Sequence, residues 1–474
     1  MVDLPEKGAS LIDWYLAVVD EAGLSDKRYP VKGMNVWTPL GFAARRALDA
    51  VIIRALERSG SVPVEFPTLI PQSEFQKEKE HIKGFDQQVY WVTRGGSTEL
   101  EMPLVLRPTS ETAMYPIFAL WVRSHKDLPL TVYQVVNTFR YETKTTRPFL
   151  RVREIHFIEE HTCQLDEAAA TGRVAANLAS FAEMAAAFAL PYVAVRRPEW
   201  DKFPGAYYSV ALDIPIGAGR TLQIGSIHHY RENFARPYGI GYETADGERR
   251  FVHQTTFGLS ERLLGAIVAT HGDQKGAVFP SATAPYEVVV VPIAAGGSTG
   301  PLDVAREILG RLTAAGVRAT LDDADERPGA KYYRWELRGV PLRLDVGRRE
   351  AEGRSASAVD RLGRRRSIPL DGLEEGTRAA LREYDLALAA AADARFRSEF
   401  EVARSLKELA GSTRVRVIGW CGEEACGHAI ETAIDGALLG TPEGPFPIAT
   451  EPPGPCIACG RTDGVRVALA ARPI

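Results

Sequence analysis

The sequence predicts a multidomain protein of the mixed α/β (α+β) class, built from three successive units. Between residues 85 and 230, short strand-like runs follow one another in hairpin order with helices between them, which indicates a mainly antiparallel sheet. From residue 286 the order becomes strand, helix, strand, helix, strand, which is typical of a compact α/β unit. Four of the five cysteines lie beyond residue 420. We expect the three units to span residues 1–280, 281–376 and 377–474.

The first unit begins with two amphipathic helices. Apolar positions recur at helical spacing over residues 11–22 and again over residues 41–60. A β-branched run at 62–70 follows, interrupted by Pro63 and Pro67. Because proline cannot donate to a strand ladder, this run is predicted to be an edge or interface strand.

The rest of the first unit alternates between strands and helices. We expect strands at 89–93, 102–110, 131–142, 151–157, 207–214 and 221–230, and helices at 111–124, 166–188 and 260–269. The strands at 131–142 and 151–157 form a hairpin, and its tip, with Lys144 and Arg147, is predicted to be long, basic and exposed.

A stretch rich in Gly, Pro, Ser and Ala at 276–285 separates the first unit from the second. The second unit is predicted to contain strands at 287–293, 317–323 and 340–346, with helices at 301–315 and 329–338. An alanine-rich helix over residues 377–409 then leads into the cysteine-bearing tail.

Composition limits the possible functions. The 474 residues include 57 Lys plus Arg and 61 Asp plus Glu, so the formal charge is −4 and any contact with nucleic acid must be local. With 45% hydrophobic and 25% charged residues, the chain is neither disordered nor fibrous. The N-terminus has no signal-peptide pattern, and no apolar run approaches the length of a membrane span. We therefore expect a cytoplasmic protein with no membrane contact.

The clearest local motif is FRYE at residues 139–142. Side chains two positions apart on a strand share a face, so Arg140 and Glu142 can hold a phosphate and an amino group at a fixed separation. The alternative is a surface salt bridge on a hairpin. Polar clusters at 107–111, 223–228 and 258–262 also stand at predicted strand ends or helix starts, and we expect them to converge on one face of a sheet.

Together these segments resemble the class II aminoacyl-tRNA synthetases, and within them the archaeal and eukaryotic-like prolyl-tRNA synthetases. The resemblance covers essentially the whole chain. It is carried by RYPVKGMNVW (28–37), HIKGFDQQVYWVTRGG (81–96), LRPTSET (106–112), YQVVNTFRYETK (133–144), TRPFLRVRE (146–154), WDKFPGA (200–206), ENFAR (232–236) and GLSERLLGAIVATHGDQKG (258–276).

The resemblance implies roles for residues at matching positions. It implies that Arg140, Glu142 and Arg262 are catalytic, with Arg140 on the α-phosphate of ATP and Arg262 on the distal phosphates. The implied ATP-binding set is Arg140, Glu142, Arg151, Arg153, Phe157, Gln223, Ser226 and Arg262. The implied amino-acid-binding set is Thr109, Glu111, Arg140, His161, His228 and Ser260, in which Thr109 and Glu111 receive the secondary amine of proline. The alternative for Glu111 is an acid in the first turn of a helix that only favours the helix dipole.

The resemblance also implies the reaction and its partners. Proline and ATP would form prolyl-adenylate with Mg²⁺ as cofactor, and proline would pass to the 3′ end of tRNA(Pro). The region 30–71 resembles the motif through which the family forms homodimers, and the span between Glu142 and Gln223 has no room for an editing domain. The alternatives are a tRNA-binding paralogue without activity, a ligase that loads a carrier protein, and a specialised paralogue with an altered pocket or inhibitor resistance.

Three residues depart from the family near the amino-acid pocket. Glu160 stands before His161 where the family has a small residue, and Cys163 and Gln164 replace a small residue and a histidine. We hypothesise that these changes alter pocket shape or inhibitor sensitivity. The alternative is that the Glu160 side chain points away from the pocket. The family commonly ends in a tyrosine whose carboxylate reaches the active site, whereas this chain ends ARPI, which puts a catalytic role of the terminus in doubt.

The second and third units supply two further sites. The second unit resembles the anticodon-binding domain of the family through WELRG (335–339), followed by Arg343, Arg348 and Arg349. The resemblance implies that Glu336 and Arg349 read the guanines of a proline anticodon, since a carboxylate accepts from a base amino group and an arginine donates to O6 and N7. The arginine run at 364–366 is interpreted as a solvated edge.

Four thiolates satisfy tetrahedral Zn²⁺ with no open position, so a structural zinc site is predicted, with two disulfides as the alternative. Its ligands are Cys421, Cys426, Cys456 and Cys459.

Overall fold

The computed structural model describes residues 3–79, 88–293, 300–444, 446, 448–449 and 451–474. Within these ranges the α-helices are Leu11–Glu21 (α1), Pro39–Arg58 (α2), Gln72–Lys79 (α3), Glu111–Trp121 (α4), Glu167–Ala187 (α5), Ala235–Tyr238 (α6), Arg262–His271 (α7), Gly300–Ala314 (α8), Pro328–Leu337 (α9), Arg348–Glu352 (α10), Leu373–Ser398 (α11) and Glu424–Ile434 (α12). Short 3₁₀ turns occupy His125–Asp127 and Leu406–Leu409.

The strands of the same ranges are Ser25–Asp26 (β1), Val36–Trp37 (β2), Val62–Pro63 (β3), Leu69–Pro71 (β4), Trp91–Gly95 (β5), Thr98–Leu106 (β6), Leu130–Phe139 (β7), Glu154–Gln164 (β8), Val193–Arg196 (β9), Tyr208–Gly217 (β10), Arg220–Arg231 (β11), Gly241–Glu243 (β12), Arg249–Phe251 (β13), His253–Ser260 (β14), Val288–Pro292 (β15), Ala319–Leu321 (β16), Leu342–Val346 (β17), Ser355–Asp360 (β18), Arg365–Pro369 (β19), Phe400–Val402 (β20), Val415–Trp420 (β21), Ala437–Pro442 (β22) and Arg466–Pro473 (β23).

An eleven-stranded sheet forms the centre of the molecule, in the order β20-β21-β23-β22-β9-β10-β11-β14-β8-β7-β3. Neighbours from β9 to β7 all pair antiparallel, as the hairpin order predicted. The proline-rich run predicted to be an edge strand supplies β3 at one edge of this sheet and β4 at one edge of a three-stranded sheet. Since β22 pairs with β9 and β23 with β11, the C-terminal strands continue the sheet of the first unit.

Helices of the first unit begin where a side chain satisfies their free amides. The hydroxyl oxygen of Ser10 accepts from the Asp13 amide at the start of α1, Thr38 caps α2, and the Asp166 carboxylate caps α5. The apolar stripes of α1, α2, α5 and α7 are buried against the large sheet in one core with Phe257. A second core around Phe118 packs α4 and α6 together.

The second unit has the predicted β-α-β-α-β order. Its five strands follow the order β16-β15-β17-β18-β19, with β16, β15 and β17 parallel. Val288, Val289, Val290 and Val291 are completely buried, as expected of a central parallel strand with both faces covered.

The structure corrects the predicted helix over residues 377–409. The helix α11 starts earlier and ends at Ser398, and the boundary proposed at residue 377 falls inside it. The next residues form β20, which pairs in parallel with β21, and Phe400 is buried against Phe396 and Phe446. This packing outweighs the helical pattern of the sequence.

The hairpin of β7 and β8 is confirmed, but its tip differs from the prediction. Only the first half of the tip, around Lys144, is exposed, whereas Phe149 and Leu150 are buried. The hydroxyl of Tyr15 donates to the Pro148 carbonyl oxygen at 2.9 Å and fixes the second half of the tip against α1. The strand predicted at 151–157 begins later and extends to Gln164. Residues 81–87 of the predicted motif at 81–96 lie outside the described residues.

No helix in the described part of the chain is both long enough and apolar enough to cross a membrane.

Candidate active site

A cleft of about 550 Å³ opens on one face of β8, β10, β11 and β14, beneath the hairpin tip. Twelve of the residues singled out from the sequence line it: Thr109, Glu111, Arg140, Glu142, Arg151, Phe157, His161, Gln223, Ser226, His228, Ser260 and Arg262. The polar clusters that were expected to converge on one sheet face therefore do converge. Arg153 is not among the lining residues.

Two arginines from different elements stand in the cleft. The Arg140 Nε donates to the Pro108 carbonyl at 3.0 Å, and Arg262, the first residue of α7, donates from Nε to Leu150 O at 3.0 Å and from Nη1 to Gln223 O at 3.1 Å. Burial, with smaller contributions from nearby Arg151 and Arg140, lowers the pKa of Arg262 to about 10. Both guanidinium groups are thus held by backbone carbonyls. A bound anion close to them would favour their charged forms and offset the effect of burial and of the neighbouring arginines.

The hairpin tip separates the two arginines that were considered for the nucleotide. Arg151 donates to the Glu142 carboxylate at 3.2 Å inside the cleft. Burial alone would raise the pKa of Glu142, but the Lys144 amide and Arg151 lower it below its ordinary value. Arg153 instead lies 4.3 Å from the Tyr141 ring centroid and donates to the Glu142 carbonyl oxygen.

A flat aromatic surface is available beside this pair. A Cβ atom at Gly258, on β14, would lie 2.9 Å from Cζ of Phe157, which is closer than such atoms approach each other. Glycine at position 258 therefore leaves room for the Phe157 ring, which lines the cleft.

Glu111 is a buried carboxylate in the lining of the cleft. It begins α4 and is almost completely buried. Thr109 Oγ1 donates to its Oε2, and Tyr230 OH donates to its Oε1 at 3.2 Å. His228 lies nearby with its Nδ1 2.8 Å from Ser209 Oγ, and burial lowers the pKa of His228 to about 3, so this imidazole is neutral at physiological pH.

His161 and Glu159 form a second polar pair on the cleft side of β8. Their Nε2 and Oε2 atoms are 3.1 Å apart, and Ser110 and Gln134 both donate to the Glu159 carboxylate. Burial would lower the pKa of His161 and raise that of Glu159. The contact between the two outweighs burial, so the pKa of His161 is raised and that of Glu159 is lowered. The pair is therefore a buried, charge-assisted hydrogen bond.

The hypothesis that Glu160 alters the amino-acid pocket is wrong, because its side chain lies on the opposite face of β8. Glu160 is completely buried behind the sheet, where Arg173 donates to both of its carboxylate oxygens and Asn177 donates to Oε1 at 2.9 Å. Ser61 also donates to Oε2, and Arg173 Nη1 donates to Ser59 O at 2.7 Å.

Cys163 and Gln164 do not line the cleft either. Cys163 is completely buried in the apolar core with Phe66 and Met114, and burial raises the pKa of its thiol far above the ordinary value. Gln164 is buried at the end of β8. None of the three departures from the family therefore contacts the pocket.

Several cleft residues were missed by sequence reasoning. Glu159 and Ser209 line the cleft, as do Arg197 and residues 200–204 of the segment WDKFPGA. That segment carried part of the family resemblance, but no role was assigned to its residues. Its membership in the set of matching motifs was the sequence signal that could have placed it at the site. Arg197 Nη2 donates to Gln223 Oε1 at 3.2 Å and thereby fixes a side chain that was predicted.

The two residues predicted to read the anticodon lie on either side of β17 in the chain. Glu336 lies in the last turn of α9, before β17, with its carboxylate 3.6 Å from Lys275 Nζ. Arg349 is exposed in α10, after β17. A five-residue strand spans roughly 17 Å, so the two side chains lie near opposite ends of that strand.

The four C-terminal cysteines come together as predicted. Their sulfur atoms all lie within 4.8 Å of one another, with Cys421 Sγ 3.9 Å from Cys459 Sγ, and none forms a disulfide. A tetrahedral zinc site with Zn–S bonds of about 2.3 Å has S–S edges of about 3.8 Å. The cluster fits that geometry.

At the C-terminus, the Ile474 amide donates to Thr221 O at 2.9 Å, and Ile474 is not a lining residue of the cleft.

Comparison with known proteins shows the family of the chain. The family model described as "tRNA synthetase class II core domain (G, H, P, S and T)" matches residues 90–271, and the one described as "Anticodon binding domain" matches residues 287–378. The chain is 48% identical to the proline--tRNA ligase of Thermococcus kodakarensis over 95% of each chain, and 44% identical to that of Pyrococcus abyssi over 100% of each.

Solved structures give the same result. The chain matches the Giardia lamblia prolyl-tRNA synthetase in complex with prolyl-adenylate at a TM-score of 0.93 and 32% identity, covering 100% of both chains. It matches the Cryptosporidium parvum enzyme complexed with halofuginone and AMPPNP at a TM-score of 0.91 and 30% identity, covering 100% of this chain and 99% of that one. The fold is that of a class II aminoacyl-tRNA synthetase. Within that class, the chain belongs to the prolyl-tRNA synthetase family, whose members are proline--tRNA ligases.

Proposed function

We propose that this chain activates proline with ATP to form prolyl-adenylate and then transfers proline to the 3′ end of tRNA(Pro). One observation carries the proposal: a single cleft is lined by two arginines from separate motifs, Arg140 and Arg262, and by the buried carboxylate of Glu111. The relatives named above are proline--tRNA ligases, and the structural neighbours hold prolyl-adenylate or an ATP analogue.

The first step needs alignment and charge neutralisation more than a protein nucleophile. A carboxylate oxygen of proline attacks the α-phosphorus of ATP, the bond to the β-phosphate breaks, and pyrophosphate leaves. Arg140 and Arg262 are suited to neutralise the charge that develops on the phosphate oxygens. Phe157 offers a stacking face for adenine, with the Glu142–Arg151 pair beside it. Arg151 suits the nucleotide contact better than Arg153, since Arg153 lies against Tyr141.

Proline presents few polar groups for recognition apart from its secondary ammonium. Glu111, oriented by Thr109 and Tyr230, can accept hydrogen bonds from that ammonium. The His161–Glu159 pair, neutral His228 and the adjoining Ser226 and Ser260 complete the polar lining. In the second step the terminal hydroxyl of the tRNA attacks the acyl carbon and AMP leaves.

Two metal ions belong to the proposal. Mg²⁺ would bind together with ATP and neutralise part of the charge of its phosphates. Among the described residues, the four cysteines are the one group of three or more His, Cys, Asp or Glu side chains placed to hold a metal ion. Zn²⁺ would be held by Cys421, Cys426, Cys456 and Cys459, and would stabilise the C-terminal fold. Metal analysis of the purified protein tests this, with one zinc per chain expected and its loss in Cys456→Ser.

The proposed partners are a second copy of the chain and tRNA, both in the cytoplasm. Five large apolar side chains within the region 30–71 are exposed: Val31, Val36, Phe42, Val62 and Leu69. We propose that they pack in a homodimer, which light scattering of the purified protein tests. Glu336 and Arg349 remain the proposed anticodon contacts. The proposed domains are residues 1–280, 281–376 and 377–474. Free, clustered thiols suit a reducing compartment.

ATP–pyrophosphate exchange with each of the twenty amino acids tests the function. Exchange that depends on proline is expected, and aminoacylation of total tRNA should charge tRNA(Pro). No exchange with any amino acid would favour a tRNA-binding paralogue without activity. Exchange without tRNA charging would favour a ligase that loads a carrier protein.

A further inference from the structure

The loop at residues 197–206, here called the cleft loop, contacts two distant parts of the chain. One side of it lines the cleft through Arg197 and residues 200–204. The other side packs on the cysteine unit, defined as residues 400–474 with β20–β23 and α12. The cleft loop therefore joins the candidate active site to the unit that contains the four thiols.

Trp200 is the main contact on the cysteine unit. A Cβ at Gly427 would lie 2.3 Å from Cη2 of Trp200, so glycine at that position lets the indole rest directly on α12. The indole Nε1 donates to Glu431 Oε1 at 3.1 Å, and the ring packs edge-on against Trp420 at 5.9 Å. Gly427 follows Cys426 directly in the chain, so a shift of the thiol cluster moves the surface that holds Trp200.

The opposite end of the cleft loop supports the amino-acid end of the cleft. The Phe203 ring lies 4.7 Å from His228, and the Phe203 amide donates to Ser209 Oγ, which also contacts His228 Nδ1. Phe203 further packs 6.0 Å from Tyr230, whose hydroxyl donates to Glu111. Contacts are thus continuous from α12 through the cleft loop to the carboxylate proposed to bind proline.

Arg197 anchors the start of the same loop. Its Nη1 donates to Leu439 O of β22 at 3.0 Å, while Nη2 donates to Asp213 and to Gln223 Oε1. Asp213 is completely enclosed, and burial raises the pKa of its carboxyl. Both ends of the loop segment 197–200 are therefore fixed to the cysteine unit.

We propose that Trp200 is a positioning residue: resting on Gly427 of the cysteine unit, it holds the cleft loop so that Phe203, His228 and Tyr230 shape the proline end of the cleft. The proposal rests on the proposed function, because it concerns how that site binds its amino acid. The cysteine unit then acts on proline binding without contributing a group that touches proline.

The test compares two variants on opposite sides of the contact. Trp200→Leu removes the indole, and Gly427→Ala pushes it away from α12 without changing any lining residue. Each should raise the KM for proline in pyrophosphate exchange by roughly tenfold, because small displacements of positioning groups are costly, while the KM for ATP stays within about twofold. Trp200→Phe, which keeps a ring on Gly427, should recover most of the affinity.

Matched controls and binding measurements separate this role from a general loss of fold. Gly454→Ala places a methyl in open space in the same unit and should leave both KM values unchanged. Calorimetric titration with proline should show weaker binding in Trp200→Leu, at an unchanged zinc content. An unchanged proline KM in Trp200→Leu, or equal rises in the proline and ATP KM values, would overturn the proposal. If Gly427→Ala loses its zinc, the rise in the proline KM of Trp200→Leu and its recovery in Trp200→Phe decide together.

Failure of the proposed function would look different. Wild-type protein would then show no proline-dependent exchange at all, whereas failure of the positioning role leaves wild-type exchange intact and the variants indistinguishable from it.

Discussion

Glu159 and Glu160 are consecutive residues of β8, and both are buried, yet they belong to different parts of the molecule. Glu159 faces the cleft and holds His161, whereas Glu160 faces the helices behind the sheet and is neutralised by Arg173 of α5. Alternation along a strand produces this division. The comparison teaches that a charge added next to an active-site motif need not change the pocket.

The rear network connects elements far apart in sequence. Arg173 contacts Glu160 of β8 together with Ser59 and Ser61, which lie between α2 and β3. The cleft pair joins two residues of the same strand, and Ser110, which precedes α4, and Gln134 of β7 donate to its carboxylate. We therefore expect the rear network to govern stability and the cleft pair to govern activity.

The largest effect is expected from Arg173→Met. The change leaves Glu160 buried without its cation, which typically costs about 3–5 kcal/mol. Urea denaturation should show this loss in the free energy of unfolding, while the proline KM of the folded fraction stays within about twofold. A loss below about 1 kcal/mol would contradict the assigned importance of the pair.

The double variant Glu160→Gln with Arg173→Met is the matched control for that prediction. It removes both charges, and replacing a whole buried ion pair is often close to neutral. We expect most of the lost stability to return, so the same denaturation experiment should find the double variant more stable than Arg173→Met alone.

On the cleft side, Glu159→Gln should reduce activity more than stability. It removes a charge-assisted hydrogen bond to His161, worth about 1.5–3 kcal/mol, which corresponds to roughly a 10- to 100-fold lower kcat/KM for proline. Pyrophosphate exchange measures the change, with Glu160→Gln as the control on the other face. Equal losses in the two variants would remove the distinction between the faces.

The convergence of the polar clusters on one face of the sheet could be predicted from the sequence. Each cluster stands at a strand end or a helix start, and the sequence pattern identifies those strands and helices. The position of Glu160 could not be predicted. The strand was expected to stop at Phe157, so residues 159–164 had no assigned face, and the partner Arg173 is separated from Glu160 by a turn and part of α5. Likewise, the contact between Trp200 and Gly427 depends on the folding of the cysteine unit onto β9, which no local pattern encodes.

A smaller effect concerns pH. The lowered pKa of Glu159 gives stability that is present above its ordinary value of 4.5 and lost as pH falls further, and the raised pKa of His161 gives stability that is present below 6.5 and lost as pH rises through the raised value. The Tm difference between wild type and Glu159→Gln should therefore be largest between pH 4.5 and 6.5 and shrink above that window. A difference that grows with pH would contradict the charged pair. His228 is neutral in this range in both folded proteins, so its own contribution to stability cancels in the difference.

The smallest effect is expected at Cys163. Its thiol is enclosed in an apolar core away from the cleft, so Cys163→Ala should cost about 1 kcal/mol at most and leave proline kinetics unchanged. Labelling of the native protein with a maleimide should spare Cys163, since burial raises the pKa of the thiol and excludes the reagent. A changed proline KM would place this residue closer to the pocket than the structure does.

A crystal structure with a non-hydrolysable prolyl-adenylate analogue tests the central claim most directly. We expect its phosphate-mimicking group between Arg140 and Arg262, its base on Phe157 and its prolyl nitrogen within hydrogen-bond distance of Glu111, with Glu160 still bound to Arg173 behind the sheet. A complex in which the Glu160 carboxylate contacts the analogue, or in which the analogue binds outside this cleft, would contradict the account.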